Sequence, residues 1–166
     1  GSIVLDFNDG ATWYITEDSK VSSVIGDNFN IVAADGVNDV ELTISGDHNF
    51  DIADYESTNV NIKGVDLIAI EPDGSGLSGN KTIISDSDVT FDVGKNGVYV
   101  SGSDKVSVNA DNIMFNSVED TILLQGNGEV SIKGSEEIVL NSKQGYVVNN
   151  DAENEGDITI NGKTVT

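Results

Sequence analysis

Between Lys81 and Asn150 the chain repeats itself. Lys81-Thr-Ile-Ile-Ser85, Lys105-Val-Ser-Val-Asn109 and Glu129-Val-Ser-Ile-Lys133 begin at intervals of 24 residues. Between them, Val89-Thr-Phe91-Asp92 recurs as Ile113-Met-Phe115-Asn116 and again as Ile138-Val-Leu140-Asn141, the last step being 25. A third element, Val98-Tyr-Val100, recurs as Ile122-Leu-Leu124 and, more loosely, as Val147-Val148-Asn149. A period in the twenties is the mark of a solenoid and outweighs any local propensity.

Each period holds three short alternations of apolar and polar residues, separated by Gly, Asn, Asp and Ser. Period-two alternation signals strands, and the separators are turn formers that tolerate unusual backbone angles. Three such strands cannot bury an apolar face alone. Stacked on an equivalent coil about 4.8 Å away, they pair in parallel and close a continuous interior. The fold class expected is therefore all-β, a right-handed parallel β-helix with three strands per coil and about seven coils, counted at ~24 residues each. An antiparallel sandwich would show irregular spacing and hairpin signals instead. The inward columns expected are Thr82, Val106, Val130; Ile84, Val108, Ile132; Val89, Ile113, Ile138; and Phe91, Phe115, Leu140. Asp92, Asn116 and Asn141 read as a ladder of short polar side chains at a turn.

The length fits one domain, residues 1–166. Gly1-Ser2 resembles a cloning scar, so a segment of a longer surface protein is expected, with no capping element at either end. The charge is extreme: 29 acidic residues face eight lysines and no arginine, a net of −21. Such a surface argues against nucleic acid, whose phosphates need cations, and against anionic membranes. The absence of cysteine removes disulfides, zinc thiolates and thiol chemistry together. No apolar run approaches the length of a membrane span, so direct membrane insertion of this segment is not expected.

Before the repeats lies Gly10-Ala-Thr-Trp13-Tyr-Ile15-Thr-Glu-Asp18-Ser19-Lys-Val21-Ser-Ser-Val24. Trp13 and Ile15 alternate inward, Asp18-Ser19 turns the chain, and Val21 and Val24 return to the core. This segment resembles a recurrent pattern of bacterial autotransporter passenger domains: Gly, a tryptophan, an alternating apolar residue, Thr, Asp-Ser and a spaced aliphatic pair. The resemblance covers about fifteen residues, and the solenoid character of the remaining chain agrees with it. It implies a β-helix exported through the outer membrane to the bacterial cell surface, commonly as an adhesin. The translocating barrel and any recognisable protease domain of such proteins do not occur in this chain.

Phe29/Ile31, Leu42/Ile44 and Phe50/Ile52 then give one coil, and Val60/Ile62 and Ile68/Ile70 start the next. Residues 71–80, with the only proline and three glycines after it, read as a loop protruding from one face. Residues 151–157 form a second expected insertion. Solenoid insertions fall on loops, where function often sits.

No catalytic residue is assigned. Some enzymes of this fold cleave acidic polysaccharides with an arginine or lysine base or paired aspartates. Here arginine is absent and the acidic surface repels a polyanion. Asp86/Asp88 and Glu136/Glu137 are carboxylate pairs at turns. His48, the single histidine, also sits at an expected turn, in Gly46-Asp-His48-Asn. No cofactor is expected. Weak calcium binding is the one metal hypothesis, carried by Asp151, Glu153, Glu155 and Asp157, although neither the β-roll nonapeptide nor an EF-hand loop is present.

The outward positions are more informative. On the first strand they are polar: Ser107, Ser131, Thr159. On the second and third, Met114, Val139, Tyr99, Leu123 and Val148 suggest an apolar strip along one side, and exposed apolar patches mark interfaces. Cover by residues 71–80 or by the tail 163–166 is the structural alternative. Thr-x-Thr ladders of an ice-binding face are absent. The function expected is adhesion or self-association without catalysis, toward a surface protein, a glycan or a second copy. The alternatives are a carbohydrate-active β-helix enzyme and a passive stalk.

Overall fold

The protein is seen in a computed structural model that describes residues 1–46, 50, 56–150, 153 and 155–166. Among these residues there is no helix, and every strand pairing is parallel. The first sheet stacks Ala11–Ile15, Asn28–Ala33, Thr58–Lys63, Lys81–Ser85, Lys105–Ala110, Glu129–Gly134 and Asp157–Asn161. The second stacks Ser19–Val21, Val40–Ser45, Val65–Glu71, Val89–Val93, Ile113–Ser117, Glu137–Ser142 and Thr164–Val165. The third holds Leu77–Ser78, Val98–Gly102, Ile122–Gly126 and Val148–Asn150, and Val4–Asp6 pairs separately with Ser23–Ile25. The chain is thus a parallel β-solenoid of about six turns, against about seven expected, consistent with a right-handed parallel β-helix.

The interior is a set of apolar columns. Val106/Val130, Val108/Ile132, Val89/Ile113/Ile138 and Phe91/Phe115/Leu140 stack in register and are buried. Phe91 and Phe115 lie face on face, with ring centres 4.6 Å apart and planes 6° from parallel. Ala69 precedes Phe91 in that column, so a small residue lies next to a large one. Near the other end Phe7 stacks on Phe29 at 4.9 Å. Ile15, Val21 and Val24 are buried, and Trp13 packs against the core, as the alternation of that segment implies.

Two columns differ from expectation. Lys81, not Thr82, pairs with Val106, and Ile83, not Ile84, pairs with Val108. The first strands therefore step by 25 residues while the second strands, Val89 to Ile113, step by 24. The turn through Asp86–Asp88 is longer by that one residue, and a slip of one sends every side chain of the strand to the opposite face. Ile83 is buried and Ile84 is 48% exposed. In the strand Val65–Glu71, Leu67 and Ala69 face inward, whereas Ile68 and Ile70 face outward. Apolar residues occupy both parities there, so alternation alone cannot set the phase. Gly64 sets it, turning the chain in one residue at a φ of 70°.

The segment 71–80 does not protrude as a free loop. Gly76 and Leu77 donate to the carbonyls of Asn96 and Gly97, and Lys95 donates to Gly74. Leu77 fills the interior in place of a longer strand. Within the segment only Pro72 and Asp73 are exposed, and the Pro72 carbonyl lies where a Cβ at residue 94 would stand, so only glycine fits there.

Acidic and amide side chains hold the turns together. Asp66 accepts from the Asp88 amide at 3.1 Å, Asp88 from the Asn112 side chain at 2.9 Å, and Asn112 from the Glu137 amide at 3.1 Å. Asp92, Asn116 and Asn141, expected at a turn, lie instead within the strands Val89–Val93, Ile113–Ser117 and Glu137–Ser142, where they share an outward column and Asn141 donates to Asn116 at 2.9 Å. Asp18, Asp66, Asp86 and Asp120 each satisfy a backbone donor of a neighbouring coil.

Candidate functional site

Alternation along the first sheet buries one set of residues and projects the other. Because Trp13/Ile15, Phe29/Ile31, Val60/Ile62 and Ile83 face the core, their neighbours face solvent. Parallel register then lines these neighbours up. Thr12, Asn30, Asn61 and Ile84 form one outward column; Tyr14, Val32 and Lys63 form the next. Asp86 stands at the foot of the second column, its Oδ1 accepting from the Gly64 amide at 2.8 Å. These residues line an open concavity of about 470 Å³.

The surface of this concavity is mixed. Tyr14 is 64% exposed, which leaves most of its ring and its hydroxyl available, and Ile84 supplies a second exposed apolar group. The Asn30 side chain donates to the Ala11 carbonyl at 3.2 Å and to the Thr12 hydroxyl at 3.3 Å, which fixes its amide. Ser87 donates to the same Asp86 oxygen at 3.3 Å, so that carboxylate is held as well. Lys63 places a cation among these groups. The arrangement offers an aromatic platform, one fixed and one exposed amide, hydroxyls, and one charge of each sign.

Of the residues expected on one apolar strip, Met114 and Val139 on the second sheet and Tyr99 and Leu123 on the third take the outward places assigned to them, and Val148 does not. Tyr99 and Leu123 are adjacent on the third sheet and half-buried, with the Tyr99 hydroxyl donating to Gln125 at 3.2 Å. Met114 and Val139 are adjacent on the second sheet, beside a hollow of about 150 Å³ that Thr90 and Glu137 also line. Val148 pairs with Ile122 and so belongs to an inward column, while Asn149 takes the outward place beside Leu123. The step from Ile122 to Val148 is 26 residues, one more than alignment on Val147 assumes. Val148 is nonetheless 43% exposed, because its strand is the last of its sheet.

Of the expected calcium ligands, Asp151 lies outside the described residues. Glu153, Glu155 and Asp157 are exposed, and Asp157 opens a strand opposite Glu129. Among the described residues no three His, Cys, Asp or Glu side chains gather as a metal site. His48 and Ile52 lie outside the described residues. Asp86 and Asp88 are bonded within turns, and Glu136 pairs with Lys163 at 3.4 Å on the surface.

The face around Tyr14 was not singled out by sequence reasoning. Its signal was present: Tyr14, Val32 and Lys63 each stand between or beside inward residues. Assigning Ile84 to the core concealed the end of the patch. Comparison with protein-family models finds no match, and searches of curated proteins and of solved structures find none either.

Proposed function

We propose that this chain is a non-enzymatic adhesion segment, similar to an autotransporter passenger, that works through the side of its β-helix. The observation that carries the reading is the concavity on the first sheet, where an exposed tyrosine and isoleucine stand among fixed polar groups. A soluble protein gains nothing in stability from leaving such side chains uncovered, and exposed apolar groups rimmed by polar ones mark contact surfaces. The scaffold suits the task. Stacked parallel strands present their outward groups at a fixed spacing, so little ordering is needed on contact. In this reading the stack holds its lateral face away from the cell that displays it, and recognition is by shape and hydrogen bonding.

Beads coated with the chain test this directly, counted for clumping and for attachment to bacterial and epithelial cells. Clumping or attachment that Tyr14→Ala abolishes supports the proposal. Beads that stay inert under every condition identify a passive stalk. Turnover of uronic-acid polymers, assayed with calcium and with chelator, would identify an enzyme instead.

A further inference from the structure

Building on the lateral-face reading, we infer that the concavity around Tyr14 is a binding site for a neutral oligosaccharide. Three features select this class. The first is the pairing of an exposed aromatic ring with amides and hydroxyls. A pyranose has an apolar C–H face that packs on a ring such as Tyr14, and hydroxyls at its edge that both donate and accept. The exposed Asn61 amide carries a donor and an acceptor on one group and matches such hydroxyls, and Asn30, whose amide hydrogens go to Ala11 and Thr12, offers its Oδ1 as an acceptor.

The second feature is length. From Tyr14 to Asp86 the face crosses four neighbouring strands. Three strand spacings make a track of roughly 14 Å. That suits a short chain of sugars running along the stack, and a single ring would leave Ile84 or Tyr14 uncovered.

The third feature is charge. The patch carries Lys63 and Asp86 together, and the whole chain carries −21. A polyanion, whether nucleic acid or an acidic polysaccharide, meets repulsion from the molecule and finds one cation at the site. An extended peptide is disfavoured for another reason. Asn28–Ala33 and Thr58–Lys63, which carry Asn30, Asn61 and Lys63, are hydrogen-bonded on both sides. Of the strands lining this face only Ala11–Ile15 ends the sheet, so a peptide added there would lie beside Tyr14 and leave the rest of the face uncovered.

The test is an amide-shift titration of the 166-residue chain by nuclear magnetic resonance. The probes are neutral trisaccharides of glucose, galactose, mannose and N-acetylglucosamine, with trigalacturonate as the anionic control. The expected result is saturable shifts at Tyr14, Asn30, Asn61 and Lys63 with at least one neutral trimer, at a Kd of about 1 mM. Tyr14→Ala should weaken that binding by about tenfold or more, and Asn61→Ala should weaken it too. Both variants should keep the melting temperature and the remaining spectrum, since both side chains project from the stack.

No saturable shift with any neutral trimer, shifts confined to other faces, or preference for trigalacturonate would each overturn the inference. Should the trimers fail while bead adhesion still depends on Tyr14, the glycan falls and the lateral-face reading stands. Failure of both removes the two together.

Discussion

Glu71 and Lys81 are both 6% exposed, and they bracket the segment that replaces a strand in the third coil. A buried charge is tolerated only when compensated, and each of these residues has a partner in the structure. Removing either charge should therefore destabilise the fold by about 3 kcal/mol. Glu71→Gln and Lys81→Met, each followed by urea denaturation, check this. If the opposite charges compensate each other, the double variant should lose less than the sum of the two single ones. Gly94 makes a separate demand. With the Pro72 carbonyl in the place of its Cβ, Gly94→Ala should cost about 2–3 kcal/mol and loosen the segment 71–80. Neither feature was legible in the sequence. Glycine and lysine next to a turn are ordinary, and only the path of the preceding coil shows that one is crowded and the other enclosed.

At the scale of the strand, the sequence was legible where one parity is apolar and the other polar. Val106/Val108 and Val130/Ile132 have polar neighbours, and their columns are as the repeat implies. It was illegible where both parities are apolar, as in Ile83-Ile84 and Leu67-Ile68-Ala69-Ile70. There the length of the preceding or following turn decides, and turn length varies by a residue between coils. A pair of truncations reads out the result. Ile83→Ala should cost about 3 kcal/mol as a buried deletion, whereas Ile84→Ala should stay within about 0.5 kcal/mol. Thermal or chemical denaturation of the two variants separates these values cleanly. The same shift of one residue is what places Ile84 beside Asn61 and completes the candidate site, so the site was hidden by the error that misplaced the strand. The polar ladders were partly legible. Asn116 and Asn141 were aligned by the repeat, whereas the run from Asp66 through Asp88 and Asn112 to Glu137 crosses coils of unequal length.

Over the whole molecule, the net charge of −21 opposes compaction, and the two surface ion pairs described, Lys105–Glu129 and Lys163–Glu136, are well exposed. Exposed pairs contribute little. Stability should come from the stacked interior and the strand ladders, with the surface charge acting against them. Raising sodium chloride from a few millimolar to about 0.15 M should therefore raise the melting temperature by a few degrees, since the screening length falls to about 8 Å. A melting temperature indifferent to salt would mean that the self-repulsion is already relieved in the folded chain.

The fold, the candidate site and the proposed mode of adhesion all rest on the register that sets Asn61 beside Ile84 on the outward face. Paired cysteines test it, and the chain has none of its own to interfere. Neighbouring parallel residues stand about 4.8 Å apart, within the roughly 4.4–6.8 Å that a disulfide spans between Cα atoms. Under mild oxidation the double variant Asn61→Cys with Ile84→Cys should cross-link efficiently in the folded chain, and Asn61→Cys with Ile83→Cys should not. Efficient cross-linking of the Ile83 pair in place of the Ile84 pair would turn Ile84 into the core, dissolve the patch around Tyr14, and contradict the account.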